Sequence, residues 1–76
     1  MKVKNLFADY ILCLRQEQKL NQKFIADLLE IKIKDLENWE SGYTYPSKKM
    51  IEKLALLYEV EASELLKIIK IEKSQN

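Results

Sequence analysis

Apolar residues recur at intervals of three and four along the 76-residue chain, and no stretch alternates convincingly with the period of two expected of a half-buried strand. That spacing predicts an all-α domain of five helices. The first runs from about Val3 to Gln18, with Phe7, Tyr10, Ile11 and Leu14 on its core face. Asn21 is a good N-cap for a second helix, Gln22 to Leu29, with Ile25, Leu28 and Leu29 inward. A turn at Glu30 to Lys32 leads to a third helix, Ile33 to Ser41, where Leu36 and Trp39 share a face. Trp39 is expected as a core anchor. Gly42, the single glycine, suits the left-handed residue that ends a helix, and Pro46, the single proline, marks the loop that follows. Tyr43 and Tyr45 are expected to be exposed loop residues. Ser47 caps a fourth helix, Lys48 to Tyr58, with Ile51, Leu54, Ala55 and Tyr58 or Leu57 inward. A fifth helix is expected from about Ala62 to Ile71, with Leu65 and Ile69 in the core and Lys73 to Asn76 frayed.

Length allows a single domain spanning residues 1–76. A chain this short buries a limited share of its surface, so the core must be compact and local. Hydrophobic and charged fractions of 47% and 33% are those of a globular protein. No apolar run approaches the roughly 18 residues of a membrane span, and the N-terminal region lacks the pattern of a secretory signal, so a cytoplasmic location with no membrane partner is expected. Cys13 is the single cysteine and is read as a small surface or interface hydrophobe. With no histidine, no metal-ligand spacing and no glycine-rich phosphate loop, catalysis is not expected, and neither is a metal, a cofactor or a small-molecule ligand.

The short second and third helices, joined by about three residues, would be marginal in isolation. Held by packing around a tight turn, they form a helix-turn-helix arrangement whose second helix can enter a DNA major groove. Lys34 can donate to guanine acceptors, Asn38 can bond an adenine edge in two places, and Ile33 can make apolar contact with a thymine methyl. Lys23, Lys48 and Lys49 lie at or near helix N-termini, where backbone amides and ammonium groups together suit phosphate.

The ordered set Leu14-Arg15, Leu20-Asn21-Gln22, Ile25-Ala26, Leu29, Ile31, Leu36, Trp39-Glu40-Ser41-Gly42, Pro46-Ser47, Leu54-Ala55, Val60 and Glu64-Leu65-Leu66 resembles the Cro and lambda-repressor type of helix-turn-helix transcriptional regulator. The resemblance covers about Ile11 to Leu66 without an insertion. It implies a lambda-repressor-like fold. It also implies sequence-specific binding of double-stranded DNA, with repression from a pseudo-palindromic operator by a homodimer. By position, it places Lys32, Ile33, Lys34 and Asn38 against base edges and Gln22, Tyr43 and Thr44 against the DNA backbone. It further implies that Arg15 and Glu40 pair beneath the surface; the alternative is two exposed charges contributing little.

Several positions depart from that pattern. Glu30 stands where glycine is frequent and must tolerate or avoid a positive φ. Lys32 replaces the usual serine or threonine cap. Residues 22–46 carry three positive and five negative side chains, against the demand of a polyanionic partner. Asp35 and Glu37 are part of that excess; Glu37 either accepts from a cytosine amino group or, as preferred, is a solvated acid supporting Lys34 or Lys32. Leu12 and Cys13 give the first helix a second apolar edge, and the fifth carries more apolar residues than one core face needs. Leu66, Ile68 and Ile71 are therefore candidate homodimer contacts, the alternative being that the fifth helix simply wraps over the domain. The competing function is a protein-interaction module, or an antitoxin-like partner protein, that keeps the fold.

Overall fold

A computed structural model describes residues 5–74. They form five helices and no strand: α1 Leu6–Glu17, α2 Gln22–Leu29, α3 Ile33–Ser41, α4 Lys48–Tyr58 and α5 Ala62–Ser74. Helix α1 packs against α3 and α5, while α4 packs against α2 and α5. One core collects Phe7 and Ile11, Ile25 and Leu29, Leu36 and Trp39, Ile51, Leu54 and Tyr58, and Leu65 and Ile69.

The N-termini follow side-chain chemistry. Asn5 Oδ1 accepts from the Ala8 amide at 2.7 Å and opens α1 at Leu6. The earlier start expected at Val3 lies outside the described residues. Asn21 Oδ1 accepts from the Phe24 amide at 2.8 Å, and Ser47 Oγ from the Met50 amide at 3.2 Å. Helix α3 has no acceptor side chain at its cap, since Lys32 can only donate. Its Asp35 reaches back instead, accepting from the Lys32 amide at 3.3 Å. One of the two acids expected to burden the motif is thus part of the local structure that starts α3.

The C-termini of α1 to α4 share one device. Lys19 (φ 58°), Glu30 (φ 57°), Gly42 (φ 86°) and Glu59 (φ 60°) are left-handed. The next amide then turns back: Leu20 to the Arg15 carbonyl at 3.1 Å, and Ile31 to Ala26, Tyr43 to Asn38 and Val60 to Ala55 at 3.0 Å each. Leu20, Ile31 and Val60 are half-buried against the core, so apolar packing holds the reversal. Three of these positions carry a β-carbon that the left-handed region penalises. Glu30→Gly is expected to raise stability by about 0.5–1 kcal/mol, the relief of that penalty less the extra unfolded-state entropy of glycine. A thermal midpoint that falls on this substitution would contradict the account.

Three expectations need correction. Leu28 points outward at 54% exposure. The buried arc of α2 is Ile25, Ala26 and Leu29, and at 3.6 residues per turn Leu28 falls roughly 100° from its centre. Tyr45 is half-buried rather than an exposed loop residue. Its ring lies 5.7 Å from that of Phe7, its hydroxyl donates to Glu72 Oε1 at 3.2 Å, and Lys73 Nζ sits 5.1 Å from its centroid. Helix α5 continues through Lys73 to Ser74 instead of fraying after Ile71; Gln75 and Asn76 lie outside the described residues. The reason for both of the last two findings is Glu72. Its carboxylate accepts from the Leu6 amide and, at 3.2 Å, from the Phe7 amide. A carboxylate at these free N–H groups is favoured by the helix dipole, so the last turn of α5 is tied to the first turn of α1.

Candidate nucleic-acid interface

Helix α3 is amphipathic in a functional sense. Leu36, Trp39 and Glu40 are buried, whereas Lys32, Ile33, Lys34 and Glu37 are exposed. Its outward side forms one wall of a cleft of about 450 Å³. Lys34, Glu37, Asn38 and Ser41 contribute from α3, Gln22 from the start of α2, Leu12 and Gln16 from α1, and Tyr43 from the following loop. Arg15 and Glu40 form its floor.

That floor is a polar network joining three helices. Arg15 Nε donates to Glu40 Oε2 at 2.7 Å and its Nη2 donates to Glu40 Oε1 at 3.0 Å, a two-pronged pairing. Arg15 Nη1 donates to the Leu20 carbonyl at 2.9 Å. Gln22 Nε2 donates to Glu40 Oε1 at 2.9 Å. The hydrogen bond to Glu40 is the main influence on Arg15, holding its pKa above the ordinary value against the opposing effect of burial. These bonds tie α1 to α3 and hold the Gln22 amide against the cleft floor.

Of the residues expected from the sequence to meet DNA, Gln22, Lys34, Asn38 and Tyr43 come together in the cleft. Lys23, Lys32, Ile33, Thr44, Lys48 and Lys49 are exposed outside its lining. Lys23 pairs with Asp27 one turn away at 3.2 Å. The Asn38 carbonyl accepts from the Tyr43 and Thr44 amides at 3.0 and 3.4 Å, so the loop is fastened to the helix that carries Lys34. Sequence reasoning missed Gln16 and Ser41 as cleft residues. Ser41 follows Lys34 by seven residues, and that helical repeat is the signal that identifies it; Gln16 enters only through the packing of α1 on α3. Glu37 is a solvated acid, as expected, but it makes no ion pair with Lys34 or Lys32 among the described residues.

Two short helices joined by a tight turn, the second buried on one side and open on the other, define the motif. A family described as a helix-turn-helix domain matches residues 10–71. The chain belongs to that family. No curated protein and no solved structure matches it. Membership in the helix-turn-helix family points to DNA binding, and with it transcription regulation, as the domain's role. In this helix-turn-helix domain, α2 and α3 are the motif, and α1, α4 and α5 hold it. Among the described residues no helix is long and apolar enough to cross a membrane, and no group of three or more acidic, histidine or cysteine side chains could hold a metal ion.

Proposed function

We propose that this domain is a sequence-specific regulator of the Cro and lambda-repressor type. It binds a pseudo-palindromic operator in double-stranded DNA as a homodimer and represses transcription. The observation that carries this reading is the division of α3: Leu36 and Trp39 anchor it from within, while Lys34 and Asn38 open side by side on the cleft beside Gln22. In the major groove, Asn38 reads adenine and Lys34 reads guanine, with Ile33 and Lys32 at the edge of the contact. Gln22, Lys23, Tyr43, Thr44, Lys48 and Lys49 meet the two backbones, setting register without reading sequence.

Dimerisation supplies the affinity that the acidic motif withholds. Ile71 is 43% exposed on α5, while Leu66 and Ile68 are half-buried against the core with their outer surface available to a second copy. Leu6, 66% exposed, reaches the same end of the molecule through its bond to Glu72. A two-fold pairing there would set two α3 helices one DNA turn apart, about 34 Å.

Selection of bound duplexes from random DNA at fixed salt tests the reading. Asn38→Ala is expected to cost about 1–3 kcal/mol on the selected site and to relax one position of it. Binding without sequence preference, unmoved by Lys34→Ala combined with Asn38→Ala, would remove DNA reading. It would leave a protein-interaction module, a reading favoured by Phe24 and Leu28, exposed one turn apart on α2.

A further inference from the structure

Two carboxylates border the cleft, and the protein treats them differently. Glu40 is buried and answered by Arg15 and Gln22. Glu37 is exposed, lies between Lys34 and Asn38 on the open wall, and has no hydrogen bond or ion pair with any described residue. An unanswered negative charge on a surface facing phosphates weakens binding to every sequence. It becomes favourable only where the duplex offers it a donor.

We propose that Glu37 is a specificity-determining residue that accepts from the N4 amino group of a cytosine in the major groove. The inference rests on the DNA-binding reading above. An ionised carboxylate only accepts hydrogen bonds. Guanine presents two acceptors in the major groove and thymine an acceptor and a methyl group, so both repel it. Adenine sets its N7 acceptor beside its amino donor. Cytosine alone presents a donor with no acceptor on the same base. Lys34, one turn before Glu37, carries the complementary chemistry for guanine. At 1.5 Å rise per residue the two positions are about 4.5 Å apart along α3, close to one base-pair step. The pair therefore reads the two bases of one C·G pair or of adjoining pairs. Glu37 costs general affinity and returns it as discrimination.

The test is site selection from random duplex DNA at one salt concentration with the wild-type chain, Glu37→Ala and Glu37→Gln, followed by affinity measurements on the selected sites. Thermal unfolding of each variant controls for folding, and an exposed position leaves the midpoint unmoved. The wild-type chain is expected to select cytosine at one position of each half-site, with a roughly 5- to 150-fold preference over other bases. Glu37→Ala flattens that position alone, while tightening binding to unrelated DNA. Glu37→Gln moves the preference there to adenine, which glutamine bonds in two places. If Glu37→Ala tightens binding to all sequences equally and keeps the same selected site, the inference fails while the DNA-binding reading stands. If the wild-type chain selects no sequence, that reading fails and this inference with it.

Discussion

Replacing Arg15 or Glu40 with alanine is expected to destabilise the domain by about 3–5 kcal/mol. The two side chains are 13% and 5% exposed. Without Arg15, Glu40 keeps a buried charge answered only by the Gln22 amide, and the Leu20 carbonyl loses its partner. Without Glu40, a guanidinium remains between three helices with one backbone carbonyl for company. A chain of this length has a total stability of only roughly 4–11 kcal/mol, so either change removes a large part of it. The cost lies in the unpaired partner rather than in the pair. Replacing both residues with apolar side chains of similar volume, as in Arg15→Met with Glu40→Leu, is therefore expected to recover most of the loss. Urea unfolding followed by helical circular dichroism measures all three variants. A loss below about 1 kcal/mol for each single substitution is the behaviour of a solvated pair and would contradict the network described.

The second large effect is at alkaline pH. Tyr58 is 2% exposed and its hydroxyl has no hydrogen-bond partner. Burial pushes its pKa up from 10.0 to about 12, with Glu40 adding to the rise and Arg15 opposing it. The folded state thus holds the phenolic proton more tightly than the unfolded chain. Its contribution is fully present below pH 10 and is lost as the pH climbs from 10 through 12. At about 1.4 kcal/mol per unit this amounts to roughly 3 kcal/mol. Tyr58→Phe has no proton to lose. It is expected to be at least as stable as the wild type at pH 7, because a buried hydroxyl without a partner is removed. Its advantage should widen by roughly 2 kcal/mol by pH 12 and approach roughly 3 kcal/mol only above it. Tyr10 and Tyr45, also raised chiefly by burial, leave a residual alkaline slope in the variant. Parallel pH–stability curves for the two proteins would refute the assignment.

Local rules in the chain account for most of the helix boundaries. Asn21 and Ser47 are side-chain caps, Gly42 is a left-handed terminus, and the three-and-four spacing of Phe7, Ile11, Leu36, Ile51, Leu54 and Leu65 marks buried faces. These signals reside within a turn or two of sequence, so they survive without knowledge of the fold. The ordered residues from Leu14 to Leu66 also carry the helix-turn-helix arrangement, and the family match covers that stretch.

What the chain could not reveal depended on contacts between distant segments. Glu72 caps α1 from the opposite end of the sequence, and no local rule foretells that α5 runs on to Ser74 or that Tyr45 packs under it. Leu28 is apolar and correctly spaced for burial, yet the neighbouring helices cover only the arc of Ile25, Ala26 and Leu29. Glu30 sits in a left-handed conformation because Ile31 packs into the core, an energy set by tertiary burial and not by the preference of glutamate. Gln16 entered the cleft through the packing of α1 on α3, and Glu37 proved unpaired because neither Lys32 nor Lys34 bonds its carboxylate. Sequence periodicity determines which residues share a face; only the packed structure decides which faces are covered, because burial is a property of pairs of surfaces.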